Sequence, residues 1–297
     1  MTTATALLIA ILELDHYAEF LQQHGHYREA EPIYLRSTGV ALAIHGPNSR
    51  PYALGLMHLG SLYHSELKLD LAESTTRRAA AILVELDGPD GLDCAYANAN
   101  LATILAAQGE NARAEPVLRR AIYLIENHGQ HAPALQVNLG LIYLRQGEFR
   151  KAEPLLQAAL ANSNDDLGRA HALAALAELA VADGRWSEAD DQIQQAYQLT
   201  IALEGQDYSR LAGILHLRGV VETHSGDFSS AVADLKQALG FLETLAGSDS
   251  PSLLPVLSDY ATALHKAKRK TEAKLVLQRA RQIHRSFRKG TRHENYR

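Results

Sequence analysis

The chain repeats one short pattern seven times, and this internal period limits the folds that it can adopt. Each copy contains a first small residue, a turn and a second small residue. The first small residues are separated by 42, 42, 38, 37, 42 and 42 positions, and they are Ala18, Gly60, Ala102, Gly140, Ala177, Gly219 and Ala261. The second small residue is always alanine: Ala30, Ala72, Ala114, Ala152, Ala189, Ala231 and Ala273. Such a period predicts an array in which each unit packs against its neighbours.

Within each copy, apolar residues recur at helical spacing. In the fourth copy Leu139, Ile142 and Tyr143 predict a first helix, and the stripe that begins at Ala152 predicts a second. Gly147 lies between them and can adopt the left-handed conformation that ends a helix. Small residues where the two stripes cross let the helices approach closely. The pattern therefore predicts antiparallel helical hairpins and no strand.

Each pair of consecutive copies is joined by a short connection, and four of these connections contain a glycine and an aspartate or asparagine. The glycine predicts a helix end, and the acid or amide predicts a cap for the next helix. The expected capping residues are Asn48, Asp90, Asp207 and Asp249.

The repeat resembles the tetratricopeptide repeat. The 42-residue spacing and the openings Ala30-Glu31-Pro32, Ala114-Glu115-Pro116 and Ala152-Glu153-Pro154 are similar to the kinesin-light-chain-like subclass. The resemblance implies an all-α, right-handed α-solenoid of about seven hairpins. We expect one domain over residues 1–297, with repeats at about 11–52, 53–94, 95–132, 133–169, 170–211, 212–253 and 254–289 and a basic tail at 290–297.

Two kinds of position depart from the repeat pattern. Leu67 and Lys268 replace the turn glycine, and Arg218 and Glu222 occupy positions that are usually leucine and tyrosine. Because Arg218 and Glu222 are one helical turn apart, we expect either a mutually satisfied ion pair or a polar opening that receives a partner's side chain.

The charge distribution is uneven along the chain. The formal net charge is -5, which argues against a general nucleic-acid binder. Residues 266–297 carry 12 Lys and Arg against two acids, Glu272 and Glu294. We interpret this end as a helix with a solvated basic face, or alternatively as a docking site for an acidic partner, RNA or lipid.

No signature of secretion, membrane insertion or catalysis is present in the sequence. There is no run of eighteen apolar residues, and the one cysteine, Cys94, cannot form an intramolecular disulfide. Phosphate-binding and nucleophile motifs are missing, and His58 and His64 are six positions apart, which places them on different helix faces. We therefore expect a cytoplasmic, non-enzymatic protein without a cofactor or a designed metal site, and a metal-dependent or catalytic role is the least favoured alternative.

The resemblance implies that the first helices of successive hairpins line a concave groove that binds an extended segment of another protein. Asn100 and Asn138 match the element with which related grooves hold a peptide backbone, because an amide side chain both donates and accepts hydrogen bonds. Alternatively, these amides bond only to a neighbouring helix. The expected groove residues are His16, Glu19, His58, Ser61, His64, Asn100, Thr103, Asn138, Leu141, Arg145, Glu178, His216, His224, Asp259 and His265.

The ends of the array suggest a second interpretation. No earlier hairpin exists to cover the apolar residues Leu7, Leu8, Ile9, Ile11 and Leu12. We expect them to be hidden by an extra helical turn or by a homodimer contact. The rival to the adaptor function is therefore an architectural protein that self-associates through its terminal repeats. No nucleic-acid or membrane partner is expected.

Overall fold

The computed structural model describes residues 14–22, 25–203 and 208–294, with side chains up to residue 287. These residues form helices and connections without a strand. The helices are α1 (14–22), α2 (Tyr27–His45), α3 (Arg50–Ser65), α4 (Leu69–Asp87), α5 (Leu92–Ala107), α6 (Asn111–Asn127), α7 (Pro133–Arg145), α8 (Phe149–Asn162), α9 (Asp166–Ala182), α10 (Trp186–Ala202), α11 (Tyr208–Ser225), α12 (Phe228–Ala246), α13 (Leu254–Lys266) and α14 (Lys270–Glu294), with a 3₁₀ turn at Pro251–Leu253. The expected all-α solenoid class is confirmed.

The helices pack as consecutive antiparallel pairs. The contacts divide the chain into two compact units, Met1–Ser163 and Asn164–Arg297. In the first unit, α3 also contacts α5, and α5 contacts α7. In the second unit, α9 contacts α11, and α11 contacts α13. Within each unit, the first helices of successive hairpins therefore form a row of their own.

The turn inside each hairpin has the same backbone conformation. The expected turn glycines have positive φ, for example 75° at Gly147. The amide of Glu148 then donates to the Tyr143 carbonyl at 2.9 Å, a bond that closes the end of the helix. Leu67 and Lys268, which replace glycine, adopt the same conformation with φ of 59° and 65°. The repeat geometry thus imposes the left-handed turn even on residues that carry a side chain.

The small residues lie where the two helices of a hairpin cross. A Cβ atom added at Gly140 would lie 2.5 Å from Cδ2 of Leu156, and Leu156 is completely buried. The alanine that opens the second helix is buried in all seven copies. The predicted close approach is therefore present, and it explains why the side chain at this position stays small.

The expected caps between hairpins are wrong. The N-cap of α3 is Ser49 and that of α5 is Gly91, and neither caps through its side chain. Asp90 instead pairs with Arg120 at 2.6 Å, and Ser250 caps the 3₁₀ turn in place of Asp249. Pro51 lies in the first turn of α3, where its fixed φ favours the start of the helix without a side-chain cap. The remaining expected cap, Asp207, and the apolar residues Leu7–Leu12 lie outside the described residues.

Replacing Gly140 by alanine tests the helix crossing. The new methyl group must displace Leu156 in a closely packed core, so we expect the free energy of unfolding to fall by about 1–3 kcal/mol. Gly39 is the matched control, because it lies on the exposed face of α2 and a Cβ atom added there would have no neighbour within 4 Å. Gly39→Ala should raise the stability by roughly 0.5–1 kcal/mol. Urea unfolding of both variants measures the difference, and equal effects would contradict the close crossing.

Candidate functional site

In the first unit, the expected groove residues all lie on the first helices of the hairpins. None of them is fully buried, and they form one row that is partly or well exposed. They are His16 and Glu19 on α1, His58, Ser61 and His64 on α3, Asn100 and Thr103 on α5, and Leu141, Asn138 and Arg145 on α7.

Polar side chains in this row connect one first helix to the next. Gln22 on α1 donates through Nε2 to the hydroxyl of Ser61 on α3 at 3.1 Å. His58 Nδ1 lies 3.7 Å from a carboxylate oxygen of Asp15, and this carboxylate also accepts a hydrogen bond of 2.5 Å from Ser37. These contacts hold the polar face in place without closing it to solvent.

The two asparagines differ in their hydrogen bonding. Asn138 donates through Nδ2 to the Thr103 hydroxyl on the neighbouring α5 at 3.2 Å. The Thr103 hydroxyl in turn donates to the Ala99 carbonyl at 3.1 Å. The Asn100 amide forms no hydrogen bond to any residue that the structure describes, and it is partly exposed. Asn138 therefore bonds to a neighbouring helix, as the alternative interpretation of the sequence expected. The donor and acceptor groups of the Asn100 side chain remain available to a ligand.

His64 differs from the other histidines of the row. Burial lowers its pKa below the ordinary value of histidine. His64 therefore stays neutral near neutral pH and offers a hydrogen-bonding ring instead of a charge.

In the second unit, the expected residues lie on α9, α11 and α13, and two of them are joined directly. Nε2 of His216 on α11 lies 2.7 Å from a carboxylate oxygen of Asp259 on α13. Glu178, His224 and His265 are exposed. The His216 and Asp259 contact crosses between successive first helices, as the contacts in the first unit do.

A pocket of about 160 Å³ opens beside this pair. Trp186 at the start of α10 stacks on His224 at the end of α11, with ring centroids 3.7 Å apart and planes at 8°. The stack forms one wall, and Asp259, Thr262 and Lys266 on α13 contribute polar groups. An aromatic wall beside a few polar groups suits one side chain of a ligand.

Sequence reasoning missed Trp186 and Lys266 as site residues. Trp186 is the aromatic residue that follows the turn glycine Gly184 at a spacing of two, as Phe149 follows Gly147 and Phe228 follows Gly226. An aromatic residue at this position could therefore be recognised in the sequence. Its spacing from the turn glycine, however, predicts a packed residue and not the wall of a pocket. Only the stack on His224 shows its position beside the row of first helices.

The sixth hairpin contains a half-buried ionic cluster. Arg218 forms two hydrogen bonds to Asp234 on α12, one of them from Nη2 at 2.8 Å. Its guanidinium also lies 3.8 Å from the centroid of the Tyr197 ring. Glu222 is 3.8 Å from Arg218 Nε, and its Oε2 atom is buried without a hydrogen bond. The chief partner of Arg218 is therefore Asp234, and the expected pair with Glu222 is secondary.

Burial and the nearby Asp234 carboxylate raise the pKa of Glu222 to about 7. The positive charge of Arg218 acts in the opposite direction. One guanidinium thus faces two carboxylates in a space with little water, so the Glu222 carboxyl gains and loses its proton near neutral pH.

We also searched the described residues for a metal site, a membrane-spanning helix and a reactive cysteine. No three His, Cys, Asp or Glu side chains there form a group that could hold a metal ion. None of the described helices is long and apolar enough to cross a membrane. The Cys94 thiol is buried, and this burial raises its pKa above the usual value, which makes it a poor nucleophile.

Comparison with known families finds tetratricopeptide repeats in the middle of the chain. Models of the tetratricopeptide repeat match residues 95–128 and 131–202. This agrees with the helical hairpins α5/α6, α7/α8 and α9/α10. The tetratricopeptide nature of these repeats is therefore confirmed. None of the curated proteins matches the chain.

Several solved structures share the fold. The Rap conjugation gene regulator of plasmid pLS20, in complex with the Phr* peptide, has a TM-score of 0.74 and 17% identity, over 98% of this chain and 78% of that chain. BtubC (BKLC) from P. vanneervenii has a TM-score of 0.53 and 18% identity, over 75% of this chain and 92% of that chain. A chain of the APC/C hetero-tetramer Cut9-Hcn1 has a TM-score of 0.62 and 16% identity, over 90% of this chain and 48% of that one. At these identities the likeness shows the fold alone.

Replacing Glu222 by glutamine tests the ionic cluster. The pKa of Glu222 is about 4.3 in the unfolded chain and about 7 in the folded chain. At a pH between these two values, the folded chain holds a proton that the unfolded chain releases. Rising pH therefore lowers the free energy of unfolding. Glu222→Gln removes this loss, so we expect it to be more stable than the parent by about 1–3 kcal/mol at pH 8, with a smaller difference at pH 5.

The fluorescence of Trp186, the single tryptophan, follows unfolding of the second unit in urea. Asp191→Asn is the control, because this exposed acid on α10 loses the same charge outside the cluster. A difference between Glu222→Gln and the parent that does not depend on pH would contradict the protonated carboxyl.

Proposed function

We propose that the protein is a non-enzymatic adaptor that binds an extended peptide segment of another protein along its row of first helices. The proposal includes the kinesin-light-chain-like subclass and a cytoplasmic setting, both of which rest on the sequence. The observation that carries it is the partly exposed Asn100 amide, which forms no hydrogen bond to a described residue and lies beside the Asn138 bond to Thr103.

The first unit offers hydrogen bonds to a peptide backbone. Asn100 lies on α5, next to the Thr103 and Asn138 pair that joins α5 to α7. The Asn138 side chain donates to Thr103, which leaves its carbonyl oxygen as an acceptor. A peptide unit has one donor and one acceptor, and an amide side chain can satisfy both whatever residue the ligand carries.

The second unit offers a place for a ligand side chain. The pocket beside Trp186 has a volume of about 160 Å³, which is close to that of an engineered cavity of about 150 Å³ that accepts benzene. The indole and imidazole rings supply an apolar wall, and Asp259 and Lys266 supply opposite charges at the rim. We propose that this pocket receives one anchoring side chain.

Two further observations support a protein ligand. A plasmid Rap regulator with the same fold was solved with a peptide bound. The net charge of -5 disfavours a polyanionic ligand such as nucleic acid. These observations favour a peptide over nucleic acid as the class of ligand.

Selection of binding peptides from a random displayed library, followed by affinity measurement, tests the proposal. The double variant Asn100→Ala, Asn138→Ala should bind the selected peptides about five- to a hundredfold more weakly, because each lost hydrogen bond is worth roughly 0.5–1.5 kcal/mol. Its fold should be retained, because both side chains are partly exposed. Peptides with a side chain that enters the pocket of the second unit should change the fluorescence of Trp186.

The matched control is Gln157→Ala, Gln195→Ala. These side chains are exposed on the second helices α8 and α10, away from the row. The control should bind with the affinity of the parent. Peptides that bind the parent and the double asparagine variant equally well would place the binding surface elsewhere.

A further inference from the structure

The pocket beside Trp186 lies between two contacts that join α11 to α13. At one end, Nε2 of His216 lies 2.7 Å from a carboxylate oxygen of Asp259. At the other end, Nζ of Lys266 lies 3.5 Å from the carbonyl oxygen of Thr223. On each helix the two contacting residues are seven positions apart, which is about 10 Å along the helix axis. The two contacts therefore frame an opening that is long enough for one side chain.

One wall of this opening is apolar. Val220 on α11 lines the pocket between the two contacts. The indole of Trp186 also lines it and is held by its stack on His224. Val220 and Trp186 are both partly exposed. They can contact the methylene groups of an occupant, and the burial of such groups stabilises the bound state.

The polar groups of the pocket divide into one donor and several acceptors. The hydroxyls of Thr223 and Thr262 already donate to the carbonyl oxygens four residues before them, at 2.7 and 3.0 Å, so they can only accept a further hydrogen bond. Asp259 has a second carboxylate oxygen that accepts no hydrogen bond from a described residue. Among the described residues, the ammonium group of Lys266 makes only the long contact to Thr223 and no ion pair.

These groups favour an uncharged polar occupant. At pH 8, where histidine is ordinarily neutral, the charges of Asp259 and Lys266 sum to zero. An acidic or basic side chain would therefore meet one opposite charge and one like charge. An apolar side chain would remove both ionic groups from water without giving either of them a partner. A primary amide has donors and an acceptor and no charge, so it can accept from Lys266 and donate to Asp259.

The length of the pocket favours glutamine over asparagine. Glutamine has two methylene groups that can lie on Trp186 and Val220, whereas asparagine has one. The volume of about 160 Å³ is sufficient, because a cavity of about 150 Å³ accepts benzene, which has more non-hydrogen atoms than the glutamine side chain.

We propose that the pocket between α11 and α13 binds a glutamine side chain of the peptide ligand, with the amide oxygen at Lys266 and the amide nitrogen at Asp259. This inference rests on the proposed peptide-binding function and names the residue that anchors the peptide in the second unit. Lys266 and Asp259 determine the specificity of the pocket, and Trp186 and Val220 hold the stem of the side chain.

Capped amino acids test the pocket without a peptide. N-acetylglutamine methylamide is added to the full chain at pH 8, and the indole N–H signal of Trp186, the single tryptophan, is followed by NMR. We expect capped glutamine to shift this signal and to bind at least about tenfold more tightly than capped glutamate, lysine or leucine, because each of these leaves a charged group without a hydrogen-bond partner. Equal affinity for any of the three, or no shift with capped glutamine at its solubility limit, would overturn the proposal.

An exchange of specificity gives the sharper test. Lys266→Met leaves the pocket with the charge of Asp259 alone, so this variant should prefer capped lysine to capped glutamine. Asp259→Asn leaves the charge of Lys266 alone and should prefer capped glutamate. Neither side chain is fully buried, so both variants should fold. The matched controls are Lys236→Met on α12 and Asp191→Asn on α10, which are exposed outside the pocket and should keep the preference for glutamine. An unchanged preference in both pocket variants would contradict the assigned roles of Lys266 and Asp259.

Selected peptides separate this inference from the proposed function. In peptides that bind the parent and shift the Trp186 signal, replacement of the anchoring glutamine by glutamate should weaken binding about tenfold. Peptides that depend on Asn100 and Asn138 but show no preference for glutamine at any position would overturn the inference and leave the peptide-binding function intact. Selective binding of capped glutamine by a chain that selects no peptide would support the pocket and contradict the proposed function.

Discussion

The close crossing of two helices within each hairpin is the constraint on which the rest of the structure depends. At Gly140 there is no room for a Cβ atom beside the buried Leu156, and the alanine that opens each second helix is buried throughout the series. This approach brings the two apolar stripes together, and the stripes left at the edge must be covered by the next hairpin. Neighbouring hairpins therefore pack against each other. The close crossing also requires a tight turn, which Leu67 and Lys268 adopt without a glycine.

An array built from neighbour contacts produces surfaces of three kinds. The first helices of each unit share a polar row, whose side chains bond across to the next first helix, as Asn138 does to Thr103 and His216 to Asp259. The second helices carry the exposed outer residues. The two ends present faces that internal hairpins bury, namely the face around Tyr17 and the groove around Leu277. Recognition is therefore expected from the row, where side chains are ordered by packing but not covered by it.

The sixth hairpin shows how far the repeat can depart from an apolar interior. Arg218 and Glu222 occupy positions that are apolar or aromatic in other copies, and Asp234 and Tyr197 surround the guanidinium. The cluster contributes little net stability, because the cost of removing its ionisable groups from water offsets their attraction. Burial of its Glu222 carboxyl, which lacks a partner for one buried oxygen, raises the pKa of this group to about 7, so it titrates near neutral pH. The apolar contacts of Leu215 and Leu235 on either side maintain the hairpin.

The sequence alone determined the all-α class, the pairing of helices and the turn positions, because helical periodicity and left-handed turns depend on residues close together in the chain. It also placed the polar row on the first helices, since a residue's face follows from its offset in the repeat. Only the tertiary structure decided which side chains meet. The Asn138 bond to Thr103 spans 35 residues and the Arg218 bond to Asp234 spans 16, and each depends on the rotation of one helix against another. The stack of Trp186 on His224 likewise joins two helices. A repeat pattern specifies which face a residue occupies, but the distance between two such faces is set by packing across the hairpins.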